Sequence, residues 1–164
     1  MKSSVTTEQV NIGLNDKARG SVVEILNGAL ADLHVLYVKT RKYHWNVTGP
    51  QFHDFHVLLE SQYEQLGEAI DEVAERIRQL GAPACATMQE FIQSARLKEQ
   101  PGDNPDAMTM IANLRDDHEA VIRQLRKDAD ACEDPLHDMG TNDFLIGLMQ
   151  QHEKMAWMLR SILE

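Results

Sequence analysis

Residues 43–80 read YHWNVTGPQFHDFHVLLESQYEQLGEAIDEVAERIRQL. This stretch decides the fold because it sets one hard stop between two helical patterns. In Thr48-Gly49-Pro50-Gln51 the glycine suits the exit from a helix, and the proline cannot continue its hydrogen-bond ladder. Pro50 also fits the first position of a second helix, which runs unbroken to Leu80, where Gly81 and Pro83 stop it. That helix holds about 30 residues and is roughly 46 Å long. Upstream, Val22, Val23, Leu26, Leu30, Leu33 and Tyr37 recur at helical spacing behind a cap at Asn15 or Asp16. Two long helices joined by a tight turn form the αα-hairpin of a bundle.

The remaining chain completes that bundle. Residues 82–104 read as a connection with a short helix over Met88 to Ala95. Asn104-Pro105 supplies a cap and first-turn proline for a third helix to about Ala131. Its inner side is Met108, Ile111, Leu114, His118, Val121, Ile122 and Leu125. After Pro135 and Gly140, Thr141 caps a fourth helix over Asn142 to Ile162, with Phe144, Leu145, Leu148, Met155, Met158 and Leu159 as its stripe. The fold class is all-α: a ferritin-like four-helix bundle over residues 16–164, with a long crossover between helices two and three. Residues 1–15 are polar and aperiodic and read as a flexible N-terminal arm.

Composition narrows the function. Trp, Tyr and Phe together number nine in 164 residues, which disfavours a β-sandwich. The net charge of −10 opposes electrostatic wrapping of nucleic acid and suits a protein that attracts cations. Cys85 and Cys132 are far apart, form no CxxC and read as reduced thiols. The first twenty residues hold no apolar core of signal-peptide length, and no apolar run approaches the roughly 20 residues of a membrane span. The expected location is cytoplasmic, with no membrane partner.

The acids and histidines of the second helix are ordered. His56 and Glu60 are i, i+4, as are Asp71 and Glu75, and Glu60 to Asp71 leaves a net rotation of about 20°. All four lie along one side, bordered by Glu64 and Glu68, and His44 approaches His56 across the turn. Imidazole with carboxylate suits Fe(II), Mn(II) or Zn(II). Taken singly, each acid reads as a solvated face and each histidine as structural. His56 and Asp71 are roughly 22 Å apart along the axis, whereas first-row metal bonds are about 2 Å. Either the pairs are unrelated, or a second copy of the helix lies antiparallel and brings its Asp71/Glu75 end to this copy's His44/His56 end. The chain contains no Glu-x-x-His, which disfavours an ordinary site inside the bundle.

These residues carry a resemblance. Tyr43-His44-Trp45-Asn46-Val47, Gly49, Phe52, His56, Glu60 and Asp71-Glu72-Val73-Ala74-Glu75-Arg76, with the tail His152-Glu153-Lys154-Met155-Ala156-Trp157-Met158-Leu159-Arg160, resemble the Dps proteins, the miniferritins of starved or oxidatively stressed bacteria. The resemblance covers nearly everything after residue 16. It implies a homo-dodecameric hollow shell with di-iron ferroxidase sites at two-fold interfaces. His44, His56 and Glu60 would come from one chain and Asp71 and Glu75 from its neighbour. The third position is often Asp in the family, and Glu60 departs from it by a longer arm. The implied reaction is oxidation of Fe(II) by hydrogen peroxide or oxygen, with ferric mineral stored inside.

Further roles follow from the same resemblance. Trp45 and Trp157 match tryptophans near the site, where they pack or carry electrons. Glu64 is a mineral-nucleation carboxylate or a solvated one. Asp134, Asp138 and Asp143 fall where the family has acidic three-fold pores that focus cations; ordinary loop acids, and for Asp143 the helix dipole, are the plainer readings. His34, His53, His118, His137 and His152 default to surface or core, although His53 or His137 would enrich a site in imidazole and favour zinc. DNA binding in the family rests on a basic arm, and here Lys2 faces Glu8 and Asp16. Little or no DNA binding at physiological salt is expected. A DNA-compacting protein and a zinc-sequestering shell are the competing functions.

Overall fold

The computed structural model describes residues 10–164. Most of the arm expected over residues 1–15 lies outside the described residues. Five helices follow: α1 Asp16–Asn46, α2 Phe52–Gln79, α3 Met88–Ser94, α4 Ala107–Glu133 and α5 Met139–Leu163. The long ones, α1, α2, α4 and α5, are the bundle, and α3 is the short helix of the crossover. Helix α1 packs on α2, α3 and α4, α4 packs most extensively on α5, and α2 touches α5 lightly.

Every helix except α2 starts where a side chain captures open backbone N–H groups. Asn15 accepts from Ala18 N at 2.9 Å. Thr87 and Glu90 form a reciprocal capping box on α3. Two expected caps move. Helix α4 is capped by Asp106, whose carboxylate accepts from the backbone and hydroxyl of Thr109, so Asn104-Pro105 precedes the helix. Helix α5 is capped by Asp138, which accepts from Thr141 N at 3.0 Å and Thr141 Oγ1 at 2.6 Å. Thr141 is therefore inside the helix, as the cap's partner. Pro50 also stays outside α2, because residues 49–52 are spent on a turn closed by Phe52 N donating to Gly49 O. Gly49 has φ +116°, a conformation a side chain at this position would strain.

The core follows the helical periods. Leu26, Leu30, Leu33 and Leu36 of α1 meet Leu59, Leu66, Val73 and Ile77 of α2, with Ile111, Leu114, Leu125, Leu145 and Leu159 from the other pair. Met108 and Met158, expected inside, are exposed, and Met110 takes the inner position on α4. Both cysteines are free thiols. One 18-residue window of α1 has mean hydropathy 1.3, so by length and composition it matches a membrane span. That corrects the expectation of no such run. The reason is packing: half of that window is buried, because α1 faces α2, α3 and α4 at once.

The crossover is held by ions as well as by Phe91 and Ala95, which are buried in the core. Asp32 is buried on α1 and accepts from Arg96 N, Leu97 N and Arg96 Nε, the last at 2.7 Å, while Arg96 also reaches Asp128 of α4. At the other end Arg76 of α2 donates to Thr141 Oγ1 and to Asp138. Asp138 thus joins α2 to the start of α5. Replacing Asp138 with Ala removes the cap and the ion pair together and is expected to cost about 2 kcal/mol. Asp138→Asn retains the cap acceptor and costs less, and urea unfolding followed by circular dichroism checks the order.

Candidate metal centre

The turn at Gly49 folds α2 back along α1 and brings residue 44 beside residue 56. The two imidazoles stack, with ring centroids 3.7 Å apart and planes 20° from parallel. Each ring bonds the other's backbone: His44 Nδ1 meets His56 O at 2.8 Å, and His56 Nδ1 meets His44 O at 2.9 Å. A carbonyl oxygen can only accept, so both Nδ1 atoms carry the hydrogen. Both neutral rings therefore keep the lone pair on Nε2, the form in which an imidazole ligates a metal. The His44 carbonyl is available because it belongs to the open C-terminal turn of α1.

The surroundings fix these rings from the sides. Tyr63 stands edge-on to His44 at 5.2 Å, and Phe52 lies 5.1 Å from His56. His44 is buried and His56 half-buried. Glu60, one turn along α2 from His56, is half-buried and accepts from Tyr63 OH at 3.3 Å. The Arg41 guanidinium lies 4.8 to 5.6 Å from the rings of Tyr63, Trp45 and Tyr37 and donates to Tyr37 OH at 2.7 Å. Trp45 itself is 64% exposed, which leaves its outer face without cover in a single chain.

The other sequence-predicted residues are not brought to this place. Asp71 and Glu75 are exposed near the far end of α2, and neither has a side-chain hydrogen bond or ion pair among the described residues. Within the described residues of one chain, no three His, Cys, Asp or Glu side chains gather around a common point. The candidate donors thus fall into two groups: imidazoles with Glu60 at one end of α2, and two unpaired carboxylates at the other. Glu64 is exposed one turn beyond Glu60, and Trp157 is exposed on α5.

The acids expected at a pore divide. Asp134 caps the end of α4 and Asp143 lies early in α5, both exposed. Asp138 is 4% exposed and committed to Thr141 and Arg76, so it offers no carboxylate to a channel. That corrects its expected role. Of the remaining histidines, His34 stacks on Phe91 at 3.6 Å and bonds Leu30 O, and burial lowers its pKa. His53 and His137 are exposed, while His118 and His152 are fully buried. Sequence reasoning missed Tyr63 and Arg41. The signal for Tyr63 was its place three residues after Glu60, where helix neighbours touch.

Known proteins share this arrangement of chain. A ferritin-like domain model matches residues 23–164. A low temperature-induced protein of Nostoc sp. is 53% identical over 95% of this chain and 87% of its own length. DNA protection during starvation protein 2 of Bacillus anthracis is 36% identical over 87% of this chain and 96% of its own. The crystal structure of a Dps protein from Vibrio cholerae, described as a ferritin-like diiron-carboxylate protein, superposes with TM-score 0.89 at 30% identity, covering 96% of this chain and 98% of that one. Solid-state nitrogen-15 NMR of histidine-labelled protein at neutral pH is expected to find two imidazoles in the Nδ1–H form that are lost together in His44→Ala/His56→Ala. Nε2–H forms for this pair would contradict the reciprocal bonding.

Proposed function

The chain belongs to the Dps family of ferritin-like proteins, and from that premise we propose that it is a ferroxidase and iron store. The observation that carries this reading is the stacked pair at His44 and His56, each ring fixed by the other's carbonyl with Nε2 left as a donor. Holding two such rings in advance removes the ordering cost that a metal would otherwise have to supply. Their backbone acceptors set tautomer and orientation, as outer partners do at metal centres generally.

In this reading Fe(II) is the substrate. His44, His56 and Glu60 of one copy and Asp71 and Glu75 of a second copy hold a pair of ferrous ions at an interface within a dodecamer. Two Fe(II) give one electron each to hydrogen peroxide, which takes two protons and leaves as two waters, so no hydroxyl radical is released. Oxygen is the alternative oxidant. The carboxylates hold the harder ferric product. Glu64, next along α2, leads it toward mineral inside the shell, and Asp134 and Asp143 draw cations inward. Trp45 and Trp157 pack against the interface or pass electrons there. Zinc competes for the same imidazoles. The protein acts in the cytoplasm, where peroxide meets ferrous iron.

Mixing two inactive variants tests the interface. His44→Ala/His56→Ala and Asp71→Asn/Glu75→Gln are each expected to lose rapid ferrous oxidation by stopped-flow absorbance. Co-assembled at equal ratio, they restore about one quarter of the wild-type sites, because half of the two-fold pairs are mixed and each mixed pair rebuilds one intact site. Sites within one chain would recover nothing on mixing.

A DNA-compacting role is the weaker reading. The net charge is −10, and binding through phosphates needs clustered cations. Gel mobility of plasmid with stoichiometric protein at physiological salt is expected to be unchanged; a shifted band would restore that reading.

A further inference from the structure

The apolar stripes of the bundle are broken at one height by a polar residue from each long helix. Thr40, Gln62, His118 and His152 occupy core positions on α1, α2, α4 and α5, and none is more than 1% exposed. Neighbouring contacts align them: Tyr37 meets Tyr63, Lys39 meets Asp117, and His118 meets His152. The two imidazoles join nitrogen to nitrogen, with His118 Nδ1 2.9 Å from His152 Nδ1. One of these atoms must donate and the other accept, so a single proton closes the pair. Thr40 spends its hydroxyl on Leu36 O. The Nε2 atoms of both histidines, and both polar atoms of Gln62, are buried without a partner.

We propose that this layer is an acid-sensitive latch, closed by one proton shared between His118 and His152 and opened when the pair takes up more. The first added proton leaves the shared bond in place but puts a charge in the core with an unpartnered N–H. The second makes both Nδ1 atoms donors, so the bond between α4 and α5 is replaced by repulsion. The ionisable groups flanking the layer offer no relief. Lys39 pairs with Asp117, Glu119 with Arg160 and Glu153 with Arg126, while Glu60 takes the Tyr63 hydroxyl. None of these carboxylates bonds either imidazole.

Burial pushes His152 down to about 4. Burial first, and then the neighbouring His152, holds His118 well below its ordinary 6.5. An unfolded chain therefore binds more protons than the folded one between those values. The stabilisation is complete above about 6.5 and is lost as pH falls toward 4. The latch stands apart from the ferroxidase reading, since neither histidine belongs to the metal half-site.

The test compares the assembled wild type with His118→Leu/His152→Leu. Urea midpoints by circular dichroism are read at pH 7.5, 6 and 5. The wild-type midpoint is expected to fall at each step and the variant's to fall markedly less; equal falls would overturn the proposal. If the variant does not assemble, histidine C2 hydrogen exchange of the wild type by mass spectrometry decides. The peptides bearing His118 and His152 should exchange slowly and titrate well below 6.5. Titration of both at or above that value is the opposing result.

Discussion

An α-helix rises about 1.5 Å per residue, and that fixed spacing governs what one copy of this chain can do. His56 and Asp71 lie on one unbroken helix, so no rotation of side chains can bring them to a shared metal. A kink could shorten the distance, but α2 contains no proline, and its buried stripe from Phe55 to Ile77 keeps it packed along its length. The rigidity that stabilises the hairpin therefore also divides the donors. Chemistry requiring both ends must come from an assembly in which α2 meets a copy of itself. The unpaired state of Asp71 and Glu75 and the uncovered face of Trp45 are what such a contact would use.

Much of this was legible beforehand because it depends on local rules. The turn at Gly49 and the period of α2 suffice to place His44 near His56 and both far from Asp71. What escaped was tertiary. The mutual capture of each ring by the other's carbonyl joins residues twelve apart across a turn, and no spacing rule announces it. The cap of α5 was misassigned because Thr141 and Asp138 are both good cap residues. The choice went to Asp138, which also gains Arg76 from another helix. Reading Asp138 as a pore acid failed for the same reason: a carboxylate in the right region had already been engaged inside one chain.

The histidines show a second limit of pattern reading. His118 fell on the inner face of its helix in the sequence and was read as a core residue, which it is. The sequence could not reveal that it meets His152, because that requires the register between α4 and α5. Four polar atoms left unpartnered in this layer are costly, about 1–3 kcal/mol each where nothing compensates. An all-apolar layer would avoid that cost. The buried Asp32 makes the contrast clear, since its carboxylate is fully met by Arg96 and by backbone amides. Burial of polar groups in this bundle is thus of two kinds, one satisfied and anchoring, the other unsatisfied and responsive to protons.

The placement of the two kinds separates the duties of the fold. The α1–α2 hairpin carries the candidate metal donors and closes its histidine pair through backbone carbonyls. The α4–α5 pair carries the other two histidines and closes them through each other. A carbonyl oxygen can only accept, so each ring of the first pair holds its Nδ1 hydrogen on a fixed partner. An imidazole acceptor becomes a donor, so the second pair does not. The contact of α2 with α5 is slight, and Arg76 bridges those helices at the end remote from His44. Opening between α4 and α5 would therefore remove support from one side of the bundle while leaving the hairpin's own bonds in place. The same residue type serves as a positioned donor in one half and as a proton-sensitive joint in the other. What distinguishes them is the atom each Nδ1 faces.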